Sequence, residues 1–200
     1  MPRRLVLTLA VLGLAVATGA GGCADETDPA ARVGAATVSH DDLLVEVEAW
    51  AGSPTLLTAL QVGETASEGA GGFSTQFVDQ VLTNRVAFEL HNAEFEDRGL
   101  ELSDQELEAV RTGLLGDPNA TAAALEELGE PYAEQLVADV ARQFRIQTEL
   151  ADEYAVWAEE SFTGADIEVS PRYGTWDTER GAVRAPEGPR PAPGGSAFEL

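Results

Sequence analysis

The run from Pro131 to Glu160 constrains this chain more than any other stretch. Read at 100° per residue, it is a single amphipathic helix. Its apolar arc covers about half the circumference and carries Ala133, Leu136, Val137, Val140, Phe144, Ile146, Leu150, Ala151, Tyr154 and Trp157. Pro131 fits a first helical turn, where its missing N–H has no helical partner to lose. At 1.5 Å per residue the rod would be about 45 Å long, more than most small domains are wide. So wide an apolar face on such a rod demands two or more packing neighbours, or one neighbour and a guest. Gln143 and Gln147 fall within the arc. They sit either at its solvated edge or as hydrogen-bond partners of a bound backbone; buried without partners, each amide costs about 1–3 kcal/mol.

The chain has 200 residues, 44% of them hydrophobic, which suffices for one domain with a real core. Arginine supplies all 12 basic residues against 35 acidic ones, for a formal net charge of -23. A nucleic-acid partner is excluded on this balance, because phosphate binding needs a basic surface. A solvated acidic surface favours solubility, and cationic partners or divalent ions stay open.

Met1 to Gly22 has the layout of an export signal, with Arg3 and Arg4, an apolar run from Leu5 to Ala17 and small residues after it. The run is too short for a permanent membrane span. The only cysteine, Cys23, follows Ala20-Gly21-Gly22 directly. This arrangement resembles the lipobox of bacterial lipoproteins, although the family usually places Leu where Ala20 stands. The resemblance implies lipidation of Cys23 with acyl chains such as palmitate, and a membrane-anchored, extracytoplasmic protein; ordinary secretion with a leftover thiol is the alternative. Residues 23–30 then form an acidic spacer.

Further along, Ala31-Arg32-Val33, Gly34-Ala35-Ala36 and Thr37-Val38 read as strand, turn and strand. Ser39 caps a helix over His40 to Trp50 with Leu43, Leu44, Val47 and Trp50 on one side. Pro54 to Gln61 starts a short helix, and Val62 to Gly72 is a Gly- and Ser-rich loop. Phe73 to Arg98, closed by Gly99, is a second strong helix, with Phe77, Val81, Phe88 and Phe95 along one strip. Ser103 and Glu106 form a capping box, and Asn119 or Thr121 opens another short helix that Gly129 ends. Ile167 and Val169 alternate as in a strand that would join the N-terminal hairpin and tie the two ends together. From Gly181 the Pro- and Gly-rich sequence reads as a disordered tail.

The order of these elements resembles the SurA N-terminal domain family of extracytoplasmic chaperones, including its PrsA-like lipoproteins. The residues that carry this are Val33 to Ser39, the Arg98-Gly99-Leu100-Glu101-Leu102-Ser103-Asp104-Gln105-Glu106-Leu107 junction, and Ile167 to Asp177 after the long helix. The resemblance implies a mainly α fold over residues 31–177, with a long C-terminal helix and a small β element joining the ends; residues 178–200, outside it, are expected by composition to be a disordered tail. It also implies a chaperone role in protein folding, in which an apolar helical groove holds unfolded or partly folded secreted proteins. Candidate client-binding residues are Phe144, Gln143, Gln147, Leu150, Tyr154 and Trp157 on the long helix, and Phe77 and Phe88 on the other strip. Many relatives carry a parvulin-type prolyl isomerase domain before the closing strand; only Ser161 to Asp166 stand there in this chain, so isomerase catalysis is not expected. A non-catalytic envelope assembly lipoprotein with one dedicated partner is the second reading.

The inventory for other chemistry is poor. His40 and His91 are far apart, and acidic residues beside His40 are what a helix dipole favours, so no metal or cofactor is expected. The pairs Glu126-Glu127 and Glu159-Glu160 read as solvated faces.

Overall fold

The computed structural model describes residues 29–62 and 72–185. Met1 to Gly22, Cys23, most of the Val62 to Gly72 loop and the tail from 186 onward lie outside the described residues.

The protein is mainly α. Its first strand β1 (Ala31–Val33) turns at Gly34, whose φ of 55° suits a residue without Cβ, into β2 (Ala36–Val38). Strand β3 (Ile167–Val169) pairs antiparallel with the other edge of β1, placing Ala31 opposite Val169 and Val33 opposite Ile167. The sheet order β2-β1-β3 thus ties the two ends of the domain together, as the alternation at Ile167 and Val169 predicts.

The helices begin where their capping residues stand. The Ser39 hydroxyl accepts the Asp42 N–H at 3.0 Å to open α1 (His40–Ala51). Helix α2 (Pro54–Ala59) follows Ser53, and α3 (Thr75–Asp97) starts at Ser74. The Ser103 and Glu106 capping box closes on itself at the head of α4 (Asp104–Gly113), with Ser103 N donating to Glu106 Oε2 at 2.8 Å. Helix α5 (Pro118–Leu128) opens one step earlier than Asn119, because the Asp117 carboxylate accepts the Ala120 N–H at 2.8 Å and Pro118 occupies the first turn.

The long helix is not continuous. Helix α6 (Tyr132–Leu150) ends at Ala151, a short 3₁₀ turn runs Ala151–Glu153, and α7 (Tyr154–Gly164) folds back against α3 and α6. The reason is topological: a straight rod of about 45 Å would carry the chain away from β1, which β3 must reach within Ala165 and Asp166 of the end of α7. Ala151 absorbs the reversal at φ 46° and ψ −114°, a region open to glycine and strained for other residues. Ala151→Gly is therefore expected to raise the unfolding free energy by about 1 kcal/mol in urea titration. No gain, or a loss, would mean that the turn carries no strain.

The chain also stays ordered beyond Gly181. Strands β4 (Thr175–Asp177) and β5 (Ala182–Arg184) form a hairpin in which Trp176 faces Val183. Val183 is buried, and its N–H donates to Thr83 Oγ1 on α3 at 2.9 Å. The Trp176 ring stacks on Phe162, and its Nε1–H donates to the Phe162 carbonyl at 3.1 Å. A side chain at Gly174 would strike the Arg184 carbonyl at 2.0 Å, so only glycine permits this close return. These contacts correct the expectation of a disordered tail from residue 178: composition signalled disorder, but Val183 has a seat on α3.

The core lies where α3 crosses α1, α6 and the sheet. Leu43, Val47, Phe77, Val81, Leu82, Val86, Val137 and Ala141 fill it.

Candidate functional site

Helices α4 and α6 lie side by side and leave a cleft of about 180 Å³ between them. Ala109, Val110 and Gly113 form one wall, and Ala141, Phe144 and Thr148 the other. The small residues leave volume that a larger pair would have filled. The Phe144 ring stands at this cleft 52% exposed, an aromatic surface held partly in water. Glu106 and Arg145 bring charge to the same lining. The Arg145 guanidinium reaches Glu106 at 3.6 Å and Glu149 at 3.5 Å, while its Nε–H is buried with no hydrogen-bond partner. Hydrogen bonds from the Ser103 hydroxyl and N–H hold the Glu106 carboxyl below its usual range, so it is ionised at neutral pH.

The other residues of the expected groove do not join this cleft. Phe77 and Leu150 are buried, each covered by neighbouring parts of the chain itself, so neither offers a surface to a client in this structure, whereas Phe144 stays open. Phe88 is half-buried against the main core. Gln143 is half-buried on α6. Gln147, Leu150, Tyr154 and Trp157 are gathered by the turn at Ala151 into a second cluster with Phe95, Ile146 and His91. Within it the His91 Nδ1–H donates to the Ala87 carbonyl at 2.7 Å. Burial pushes the imidazole pKa down, so the neutral ring offers Nε2 to the Tyr154 hydroxyl at 3.0 Å. Gln147 Nε2 donates to that same oxygen at 3.4 Å. Its amide is thus turned toward an internal partner rather than a guest.

A third group is polar. Asp139, buried on α6, accepts from Arg85 Nη1 at 2.8 Å, Asn92 Nδ2 at 3.0 Å and Arg142 Nη1 at 3.2 Å. Arg85, on α3, also pairs with Glu89 one turn along. Opposite them on α1, the Glu46 carboxyl is buried, and that burial raises its pKa to about 7; the Arg85 charge lowers it, and Asp139, Glu89 and Asp42 raise it. A cavity of about 150 Å³ opens beside it, lined by Asp42, Glu46, Arg85, Glu89, Tyr132 and Gln135 with Thr37 and Val38. Sequence reasoning missed this group. Its signal was present, since Glu46, Arg85 and Asp139 each interrupt an apolar face with a charge: Leu43-Glu46-Val47, Leu82-Arg85-Val86 and Val137-Asp139-Val140.

The pair Glu126-Glu127 also proved more specific than a solvated face. Glu127 accepts from the Ser53 hydroxyl at 2.8 Å and from Thr55 N at 3.0 Å, latching α2 to α5.

No protein-family model, curated protein or solved structure matches the chain, so the chemistry of these sites rests on their own residues. Among the described residues no helix is long and apolar enough to cross a membrane.

Proposed function

We propose that the protein is an extracytoplasmic chaperone-like lipoprotein, anchored at the cell membrane through lipidated Cys23, that holds unfolded or partly folded secreted proteins without isomerase catalysis. The observation that carries this reading is the α4–α6 cleft, with the Phe144 ring half in water at its mouth. A client leucine or phenylalanine side chain fits the apolar walls.

Burying one such side chain is worth about 1.5–3 kcal/mol, an affinity weaker than millimolar on its own. A grip of that strength suits a holder that releases its client, and less well a partner bound for good. Many copies on one membrane, each taking a different apolar residue of the same chain, would raise the effective affinity.

The test is light scattering of an aggregating unfolded client, with and without the full chain. With the lipidated chain displayed densely on vesicles, where many weak contacts act on one client, suppression is expected, and Phe144→Ser should weaken it about threefold or more while leaving circular dichroism and Tm unchanged, because the ring is already half exposed. No suppression with several clients would overturn the holding role. A single stoichiometric partner recovered by crosslinking in the native membrane would then establish the dedicated assembly role.

A further inference from the structure

The cavity of about 150 Å³ framed by α1, α3, α6 and β2 has an unbalanced charge. Arg85 and Arg142 are taken up by Asp139 and Glu89. That leaves Asp42 and Glu46 facing the space with no ion pair to either among the described residues. Asp42 accepts the Ser39 hydroxyl at 2.6 Å, but Glu46, only 8% exposed, has a carboxyl that makes no hydrogen bond among the described residues and opens onto the cavity. A buried carboxyl in that condition costs free energy unless something else supplies its donors. Below it the space narrows to a crevice of about 10 Å³ between Trp50, Phe88 and Leu136, at the limit for a single water.

We propose that this cavity binds a primary ammonium group, whose three N–H donors are taken by the carboxylates of Glu46 and Asp42 and by the polar atoms of Tyr132 or Gln135. The space suits an alkylammonium of about four carbons, its stem lying along Val38 and the Tyr132 ring. Among the described residues no three His, Cys, Asp or Glu side chains are placed to hold a metal ion, so a divalent cation is the poorer fit. No lysine of this sequence can supply the ammonium, since it has none. Two sources share that chemistry, a free small amine and a lysine side chain of another protein.

The experiment titrates the full chain with butylammonium chloride and, separately, with Nα-acetyl-lysine amide, by calorimetry and thermal shift against sodium chloride at equal ionic strength. Saturable binding of an amine is expected, tighter at about pH 8 than at about pH 6, since Glu46 must be ionised to hold a cation. Asp42 on the same helix, Arg85 and Glu89 on α3, and Tyr132 and Asp139 on α6 are the groups that face it. Glu46→Gln and Asp42→Asn should each weaken binding about tenfold or more with the fold intact. Preference for the acetyl-lysine amide assigns a protein lysine as the ligand, and preference for butylammonium a free amine. No saturable binding, equal binding by both variants, or a shift reproduced by sodium chloride would overturn the proposal.

Discussion

Asp139→Ala is expected to cost about 3–5 kcal/mol of stability, the largest single loss among the polar residues. Asp139 is buried at the centre of α6, and its two oxygens accept from Arg85, Asn92 and Arg142. Removing the carboxylate leaves two guanidinium groups without it. Glu89 still answers Arg85 and water reaches Arg142, whose side chain is 35% exposed, so the cost falls on Arg85, which loses one of its two carboxylates where its own side chain is only 11% exposed. A stranded buried charge costs far more than the intact pair contributes, which is why the loss exceeds the net worth of the ion pair. For a domain of this size the change corresponds to a Tm lower by about 10 °C. Urea unfolding with Glu134→Ala as control checks it: the Arg111–Glu134 pair lies on the surface, and its loss should be barely measurable. If Asp139→Ala and Glu134→Ala cost the same, water reaches the α3–α6 interface and the cluster is not buried in solution.

Asp139 also marks the limit of what could be read from sequence. The capped starts of α1 and α4, the turn at Gly34 and the strand at Ile167–Val169 follow from local rules that reach across three or four residues, and they are in place. The break at Ala151 does not follow from such rules. Helical periodicity runs straight through Leu150, Ala151 and Tyr154, and only the need to bring β3 back to β1 turns the chain there. The expected groove fails for the same reason. Leu150 lies on the same periodic arc as Phe144, and Phe77 on the strip of α3, but periodicity assigns a face, and the neighbour on that face decides between core and cleft. Val183 is the converse case, a lone apolar residue in a Pro- and Gly-rich segment, ordered because α3 offers Thr83 and a place in the core. Glu46, Arg85 and Asp139 were legible as charges on apolar faces, yet their convergence spans α1, α3 and α6 and needed the packing to be seen.

Stability should fall as pH rises from about 4.5 to about 7, by about 3 kcal/mol from Glu46 alone. Burial within α1, α3 and α6 raises this carboxyl from 4.5 to about 7, with Asp139, Glu89 and Asp42 adding to the rise and Arg85 opposing it. Between those two values the folded state keeps a proton that the unfolded chain has released. The contribution is therefore full below pH 4.5, declines across the window and is gone above about pH 7, where folding must bury a charge. Other groups act with the opposite sign or elsewhere. Burial lowers the pKa of His40 and His91, so their contribution grows as pH rises toward 6.5 and opposes the Glu46 slope. Hydrogen bonds lower the pKa of Glu106 and Glu127, and the stability they supply is lost only below about pH 4.5. Glu46→Gln separates the contributions, because it keeps the shape and removes the titration. Urea unfolding from pH 4.5 to 8 should show the variant level with the parent at the acid end and about 2–3 kcal/mol more stable at pH 8. Curves that run parallel across the range would mean that the Glu46 carboxyl is hydrated in the folded protein. In that case the cavity beside it holds water in place of the ammonium, and the amine titration should fail with it.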